Sequence, residues 1–132
     1  MKNSLRIFHW FPRILGILAI LFLSIFALDS FSPDLTLSQQ LTGFIIHLIP
    51  SFVLLVFLII AWKRELTGGL LFAILSLGFT PEIFLHNFRM NHSVPMSIGI
   101  VMMLNFPFFV TGVLFVLSHF LKKKNLSESM SA

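Results

Sequence analysis

The sequence predicts an all-α integral membrane protein, a bundle of four transmembrane helices with both termini on the cytoplasmic side. Of its 132 residues, 57% are hydrophobic and only 11% are charged, whereas soluble domains carry about 25% charged residues. The apolar residues form four stretches that are long enough to cross a bilayer. Almost all positive charges lie at those ends of the apolar stretches that are predicted to face the same side of the membrane. We expect a single domain over residues 1–121, followed by a polar cytoplasmic tail at 122–132.

The first predicted helix covers about residues 12–31, whose length of roughly 30 Å matches one hydrocarbon thickness. Pro12 suits a first helical turn, and Arg13 can extend its charged end toward the lipid headgroups. A cleaved secretory signal peptide is the alternative interpretation, because positive charges precede the apolar core. Asp29 and Pro33 disfavour the two candidate cleavage sites, so we expect the helix to be retained.

The second and third predicted helices cover about residues 41–62 and 66–85. Only His47 and Pro50 interrupt the second helix, and the charged triplet 63–65 forms a tight interfacial turn after it. The third helix is apolar as far as Phe79, and Pro81 is expected to kink or end it. A polar loop is predicted at 86–95.

The fourth predicted helix covers about residues 96–121, which is long enough to span the bilayer with some tilt. It contains Asn105 and Pro107 and stops at three consecutive lysines. The tail beyond them is polar, and we expect it to be disordered. Small residues such as Gly69 and Gly112 allow helices to approach closely in lipid, which favours a compact four-helix bundle.

The distribution of Lys and Arg predicts the orientation. Eight of the nine basic residues fall on one side of the predicted bundle, and only Arg89 falls on the other. Short loops that are rich in Lys and Arg face the cytoplasm. Trp10 and Trp62 lie at the same boundary, where indole rings contact headgroups. The sequence therefore predicts an inner-membrane protein with cytoplasmic termini, and the positive charge does not indicate nucleic-acid binding.

Five residues in the outer half of the bundle form a candidate polar vestibule: Asp29, His47, Pro50, Glu82 and Asn105. His47 lies about 9 Å and Asn105 about 14 Å below the outer helix ends. An ionisable residue inside a membrane is a functional candidate, because an unpaired charge there is costly. One hypothesis pairs His47 with a carboxylate of Asp29 or Glu82.

A purely structural interpretation of these residues is also open. His47 is then a neutral imidazole bonded to a neighbouring helix, and Asn105 makes a helix–helix hydrogen bond. Asp29 and Glu82 are then hydrated carboxylates at helix ends.

Metal, cofactor and enzyme classes receive little support from the sequence. The outer loop carries imidazole and thioether groups that suit Cu(I), although such a cluster arises easily in this composition. Haem would need two histidines at similar depth on facing helices; His47 could meet His86, whereas His119 lies near the opposite surface. The chain has no Cys and no P-loop, HExxH or serine-nucleophile motif. We therefore predict no cofactor, no metal and no enzymatic activity. The Cu(I) candidates are His86, Met90, His92 and Met96.

Several motifs resemble those of a group of small bacterial four-helix membrane proteins known only as a domain of unknown function. The similar segments are Arg13-Ile14-Leu15-Gly16, Phe26-Ala27-Leu28-Asp29, Gly43 to Pro50 with its His-x-x-Pro element, and Leu66-Thr67-Gly68-Gly69-Leu70. The likeness covers roughly residues 12–121. It implies a membrane location and this topology, and it implies no activity.

The leading functional hypothesis is an accessory or scaffold subunit that packs in the lipid bilayer against itself or against another membrane protein. The alternative is a small-solute or ion transport or channel element. Because four helices rarely enclose a full pathway, that alternative requires an oligomer in which Asp29, His47 and Asn105 line the pathway.

Overall fold

A computed structural model describes residues 2–132, which are helical except at short junctions. The helices are α1 (Lys2–Ile25), α2 (Leu37–Lys63), α3 (Glu65–Asn91), α4 (Val94–Leu104) and α5 (Phe106–Ser131), with a 3₁₀ turn at Phe26–Ser30 after α1. Four helical segments are long and apolar enough to cross a membrane, with α1 counted together with its 3₁₀ turn and α4 excluded. The predicted all-α architecture with four long apolar helices is confirmed.

Local side-chain bonds start α2 and α4 earlier than hydropathy alone predicts. Thr36 caps α2: its hydroxyl accepts from the Gln39 N–H at 3.4 Å, while the Gln39 side chain accepts from the Thr36 N–H at 3.0 Å. This reciprocal pair places the start of α2 at Leu37 instead of 41. Ser93 caps α4 through a single bond, in which its hydroxyl accepts from the Met96 N–H.

The prediction that α3 ends near residue 85 and is followed by a polar loop at 86–95 is wrong. The helix continues through Pro81 to Asn91, because a proline removes only one helical N–H and α4 still packs against the later turns. The helix ends where His92 adopts a left-handed conformation with φ 51°, and its N–H donates to the Phe88 carbonyl at 2.8 Å. The connection to α4 is therefore only two residues long.

Two further differences concern the fourth predicted helix and the tail. Residues 96–121 do not form one helix, because the helix is interrupted at Asn105, between α4 and α5. Pro107 lies in the first turn of α5, where no N–H is required. The tail at 122–132 is not disordered: α5 runs through the three lysines to Ser131, and Lys124 pairs with Glu128 one turn later at 3.8 Å.

The four long helices form a closed ring in the order α1, α2, α3, α5, and α4 packs against α3 and α5. Aromatic side chains fill its centre. Phe72 of α3 is fully buried and stacks on Phe108 and Phe115 of α5 at 6.3 and 6.5 Å between ring centroids. Leu58 of α2 completes this core at 1% exposure. The ring therefore has a solid, apolar middle.

Two glycines let α3 and α5 pack backbone against backbone, as the small-residue pattern predicts. A Cβ added to Gly112 would lie 2.6 Å from the Gly69 carbonyl oxygen and 2.7 Å from the Ala73 nitrogen. Both obstacles are main-chain atoms, so they cannot rotate away. Position 112 therefore has room only for glycine.

We expect Gly112→Ala to destabilise the protein by about 1–3 kcal/mol, since the two helices must separate to admit one methyl group. Thermal unfolding in detergent, followed by circular dichroism, measures this loss. Gly78→Ala is the matched control, because a Cβ at Gly78 meets nothing within 4 Å. Equal melting temperatures for both variants would contradict the close α3–α5 approach.

Candidate functional site

Charged side chains from three helices meet on the carboxylate of Glu65, the first residue of α3. One oxygen, Oε1, accepts from Arg13 Nη2 of α1 at 3.0 Å and from Lys122 Nζ of α5 at 2.5 Å. The other oxygen accepts from the Ser118 hydroxyl of α5 at 3.2 Å. The Glu65 side chain is only 9% exposed. A buried carboxylate requires such partners, so this group ties α1, α3 and α5 together at one end of the ring.

Arg13 is the most deeply buried charge of this cluster, at 2% exposure. Its guanidinium lies 5.7 Å from the Trp62 ring centroid and 5.5 Å from that of Phe115, within the range of cation–π attraction. Nη2 also donates to the Trp62 carbonyl at 3.3 Å, and Nη1 donates to the carbonyl of His9. The Nε–H has no hydrogen-bond partner in the described part of the chain. Arg13 thereby adds α2 to the cluster and retains one unused donor.

His9 completes the cluster. Its Nδ1 lies 2.6 Å from Lys122 Nζ and 3.2 Å from Arg13 Nη1. Nδ1 also lies 3.3 Å from Glu65 Oε1, so His9 accepts from a cation or donates to the carboxylate according to which ring nitrogen carries the proton. The cluster then contains two cations, Arg13 and Lys122, and one carboxylate. Its net charge is positive.

A cavity of about 530 Å³ opens beside this cluster. Besides the clustered residues, Lys63 and Arg64 from the α2–α3 junction line it. The first turn of α3 also faces it through Leu66 and Thr67, and the N-cap residue Arg64 makes no capping side-chain bond. Helix N-termini carry unpaired N–H groups and partial positive charge. The cavity therefore presents positive charge and hydrogen-bond donors, an arrangement that suits an anion.

Sequence reasoning missed this cluster. It assigned Arg13 to the headgroups, and that prediction is wrong, since the side chain is buried against Trp62 and Phe115. A signal was present: Glu65 is the one acidic residue of the α2–α3 turn, and it stands among the basic residues that the charge count places at the same boundary. An opposite charge at the end of an apolar bundle predicts pairing.

The candidate vestibule contains one buried residue, Asn105, and four exposed ones. Asp29, Pro50 and Glu82 are exposed. His47 is also exposed, and its Nδ1 lies 2.8 Å from the Gly43 carbonyl and 3.2 Å from the Ser30 hydroxyl. Over residues 2–132, His47 forms no ion pair with either of the proposed carboxylates.

Asn105 is the buried member of that set, and it makes the predicted helix–helix hydrogen bonds. Its side-chain amide donates to the Ser76 carbonyl at 2.6 Å and to the Thr80 hydroxyl at 2.7 Å, both on α3. These bonds fix the junction of α4 and α5 against α3. Asn105 therefore has a structural partner on each of its two donors.

The imidazole and thioether groups considered for Cu(I) lie at the end of α3 and the start of α4, and all four residues are exposed. In the region from Lys2 to the C-terminus, no group of three or more His, Cys, Asp or Glu side chains could hold a metal ion.

Comparison with known proteins gives one match. The family model described as "Domain of unknown function (DUF7670)" matches residues 1–127. This range is longer than the one that the motifs cover, and it includes every residue of the charged cluster. The searches of curated proteins and of solved structures returned no match.

We expect Glu65→Gln to destabilise the protein by about 2–3 kcal/mol, because it leaves the Arg13 guanidinium buried without its counter-charge. Glu128→Gln makes the same chemical change in an exposed pair with Lys124 and should cost less than about 0.5 kcal/mol. Unfolding in detergent, with both variants run beside the wild type, compares the two. If Glu65→Gln unfolds no more easily than Glu128→Gln, the cluster does not tie the helices together.

Proposed function

The chain belongs to this family, whose description assigns no activity, and we propose that it is a multi-pass inner-membrane protein that serves as a non-enzymatic accessory or scaffold subunit. The proposal has three parts: insertion of the four long helices into the bilayer, an orientation with both termini in the cytoplasm, and a packing role toward other membrane proteins or further copies of itself.

The outer surface of the ring supports insertion. Large apolar side chains face outward on every long helix, for example Leu18 at 58% exposure, Val56 at 54% and Ile74 at 66%. A soluble protein rarely exposes contiguous apolar surface of this extent. Lipid covers such a surface without cost, and regular helices satisfy the backbone hydrogen bonds that lipid cannot.

The charged cluster supports the orientation. Because Arg13, Glu65 and Lys122 are in direct contact, the first turns of α1, the α2–α3 junction and the lysines of α5 lie at one end of the ring. Arg89 lies in the last turn of α3, about 36 Å away along that helix. The positive-inside rule places the lysine-rich end in the cytoplasm.

The aromatic core is the observation that favours a packing role over transport. Phe72, Leu58 and Phe115 are at most 1% exposed and occupy the middle of the ring, between the Glu65 cluster and the Asn105 contacts. A pathway for ions or polar solutes needs a connected polar lining. A single bundle with this core has no such lining. The outer faces are therefore the surfaces with which a scaffold protein would contact its partners.

Two glycines mark faces where another helix can approach. Gly78 of α3 and Gly99 of α4 are exposed, and a Cβ at either position meets nothing within 4 Å. Small residues on lipid-facing surfaces permit close helix–helix packing in membranes. These faces suit a partner helix from another membrane protein or from a second copy.

Cysteine accessibility tests the insertion and the orientation, and the absence of native Cys makes each introduced thiol unambiguous. In intact cells, a membrane-impermeant maleimide should label Met90→Cys and should leave Ser129→Cys unlabelled until the membrane is permeabilised. Both positions are exposed on the protein surface. Labelling of Ser129→Cys from outside would indicate the opposite orientation. Release of the chain from membranes by a carbonate wash would exclude insertion.

Affinity purification in mild detergent tests the scaffold role. We expect a stoichiometric membrane partner or a homo-oligomer, and we expect Gly78→Leu with Gly99→Leu to abolish it without lowering the melting temperature, since both sites face open space. Ala19→Leu with Gly16→Leu, inside the bundle, serves as the control that fails by misfolding. Proton- or ion-dependent flux in liposomes that His47→Ala removes would instead establish a transport element.

A further inference from the structure

We propose that the cavity beside the Glu65 cluster binds the phosphate of an anionic phospholipid, with an acyl chain seated in the groove between α1 and α2. This inference rests on the proposed insertion into a bilayer. It assigns a ligand class to a site that the scaffold role does not use.

The balance of charge in the cavity favours an anion. Glu65 is already matched by Arg13 and Lys122, so the remaining lining cations, Lys63 and Arg64, are in excess. Within the region described, neither of these two residues forms an ion pair. Basic pockets between transmembrane helices on the cytoplasmic side bind lipid headgroups for this reason.

Unused donors point to the same ligand. The buried Nε–H of Arg13, a residue that lines the cavity, has no partner, although a buried N–H normally has one. The uncapped first turn of α3 adds the N–H groups of Leu66 and Thr67, which have no helical acceptor. Guanidinium groups and helix N-termini are the common phosphate ligands of proteins.

An apolar groove distinguishes a phospholipid from free phosphate. It has a volume of about 230 Å³ and lies between α1 and α2. Its lining begins one turn beyond the cavity on both helices: Ile17 follows Arg13 by four residues, and Leu58 precedes Trp62 by four. It continues along the same helix faces to Ser24 on α1 and Leu48 on α2. A charged cavity with an apolar groove one helical turn away fits a headgroup and its chain, whereas free phosphate gains nothing from the groove.

The test measures lipid affinity of the purified full chain in a neutral detergent by native mass spectrometry, with phosphatidylglycerol and phosphatidylcholine as probes. We expect preferential binding of phosphatidylglycerol. Lys63→Gln with Arg64→Gln should weaken it on the order of tenfold. Lys123→Gln with Lys124→Gln removes the same charge at the same end but outside the cavity lining, and should change it by less than about twofold. Equal binding of both lipids, or an equal loss in both double variants, overturns the proposal.

The groove is tested by a second matched pair. Leu21→Trp fills the groove and should weaken phosphatidylglycerol binding, whereas Leu18→Trp, at the same exposure of 58% but outside the lining, should not. If inorganic phosphate displaces the lipid and Leu21→Trp has no effect, the site takes soluble phosphate and the lipid assignment is wrong. Cysteine accessibility reports insertion independently, so a failure here is separable from a failure of the proposed function.

Discussion

The burial of Arg13 is the constraint on which the rest of the structure depends. A guanidinium at 2% exposure must be paired, and its counter-charge, Glu65, stands at the first residue of a different helix. Lys122 of α5 shares the same carboxylate oxygen. The middle of α1, the first residue of α3 and Lys122 of α5 are therefore held at one point, and α2 joins them through the Trp62 carbonyl. The cyclic order of the helices follows from this meeting point as much as from the apolar core.

The tight α2–α3 connection makes the pairing possible. Only Arg64 separates the two helices, so the position of Glu65 at the end of the ring has little conformational freedom. Such a short connection forces the helices into antiparallel contact at once, and a Cβ at Gly68 would fall on the backbone of Ala61. Gly68 is thus required by the same turn that positions Glu65. The Gly-rich start of α3, visible in the sequence as a motif, has this physical cause.

The features that were predictable from sequence are those that depend on composition and local pattern. Four apolar stretches, the close approach at Gly69 and Gly112, and the hydrogen bonding of Asn105 all follow from the cost of exposing polar groups to an apolar environment. Helix ends were less predictable, because Pro81 is tolerated when later turns remain packed and because the lysines after residue 121 prolong α5. The charged cluster was missed because ion pairing depends on which helices lie next to one another, and a hydropathy pattern does not determine that.

The two ends of the bundle are built differently, and this bears on where a ligand can act. Apart from the Arg64 junction between α2 and α3, the departures from regular α-helix lie away from the charged end: the 3₁₀ turn at Phe26–Ser30, the left-handed His92 and the break at Asn105. Asn105 is 17 residues, about 26 Å, from Lys122 along α5. At the charged end α1 and α5 are continuous, and ion pairs join both of them to Glu65 of α3. A phosphate bound beside Glu65 would add counter-charge to cations already held there, so it would reinforce the existing contact of α1, α3 and α5 instead of requiring any helix to move.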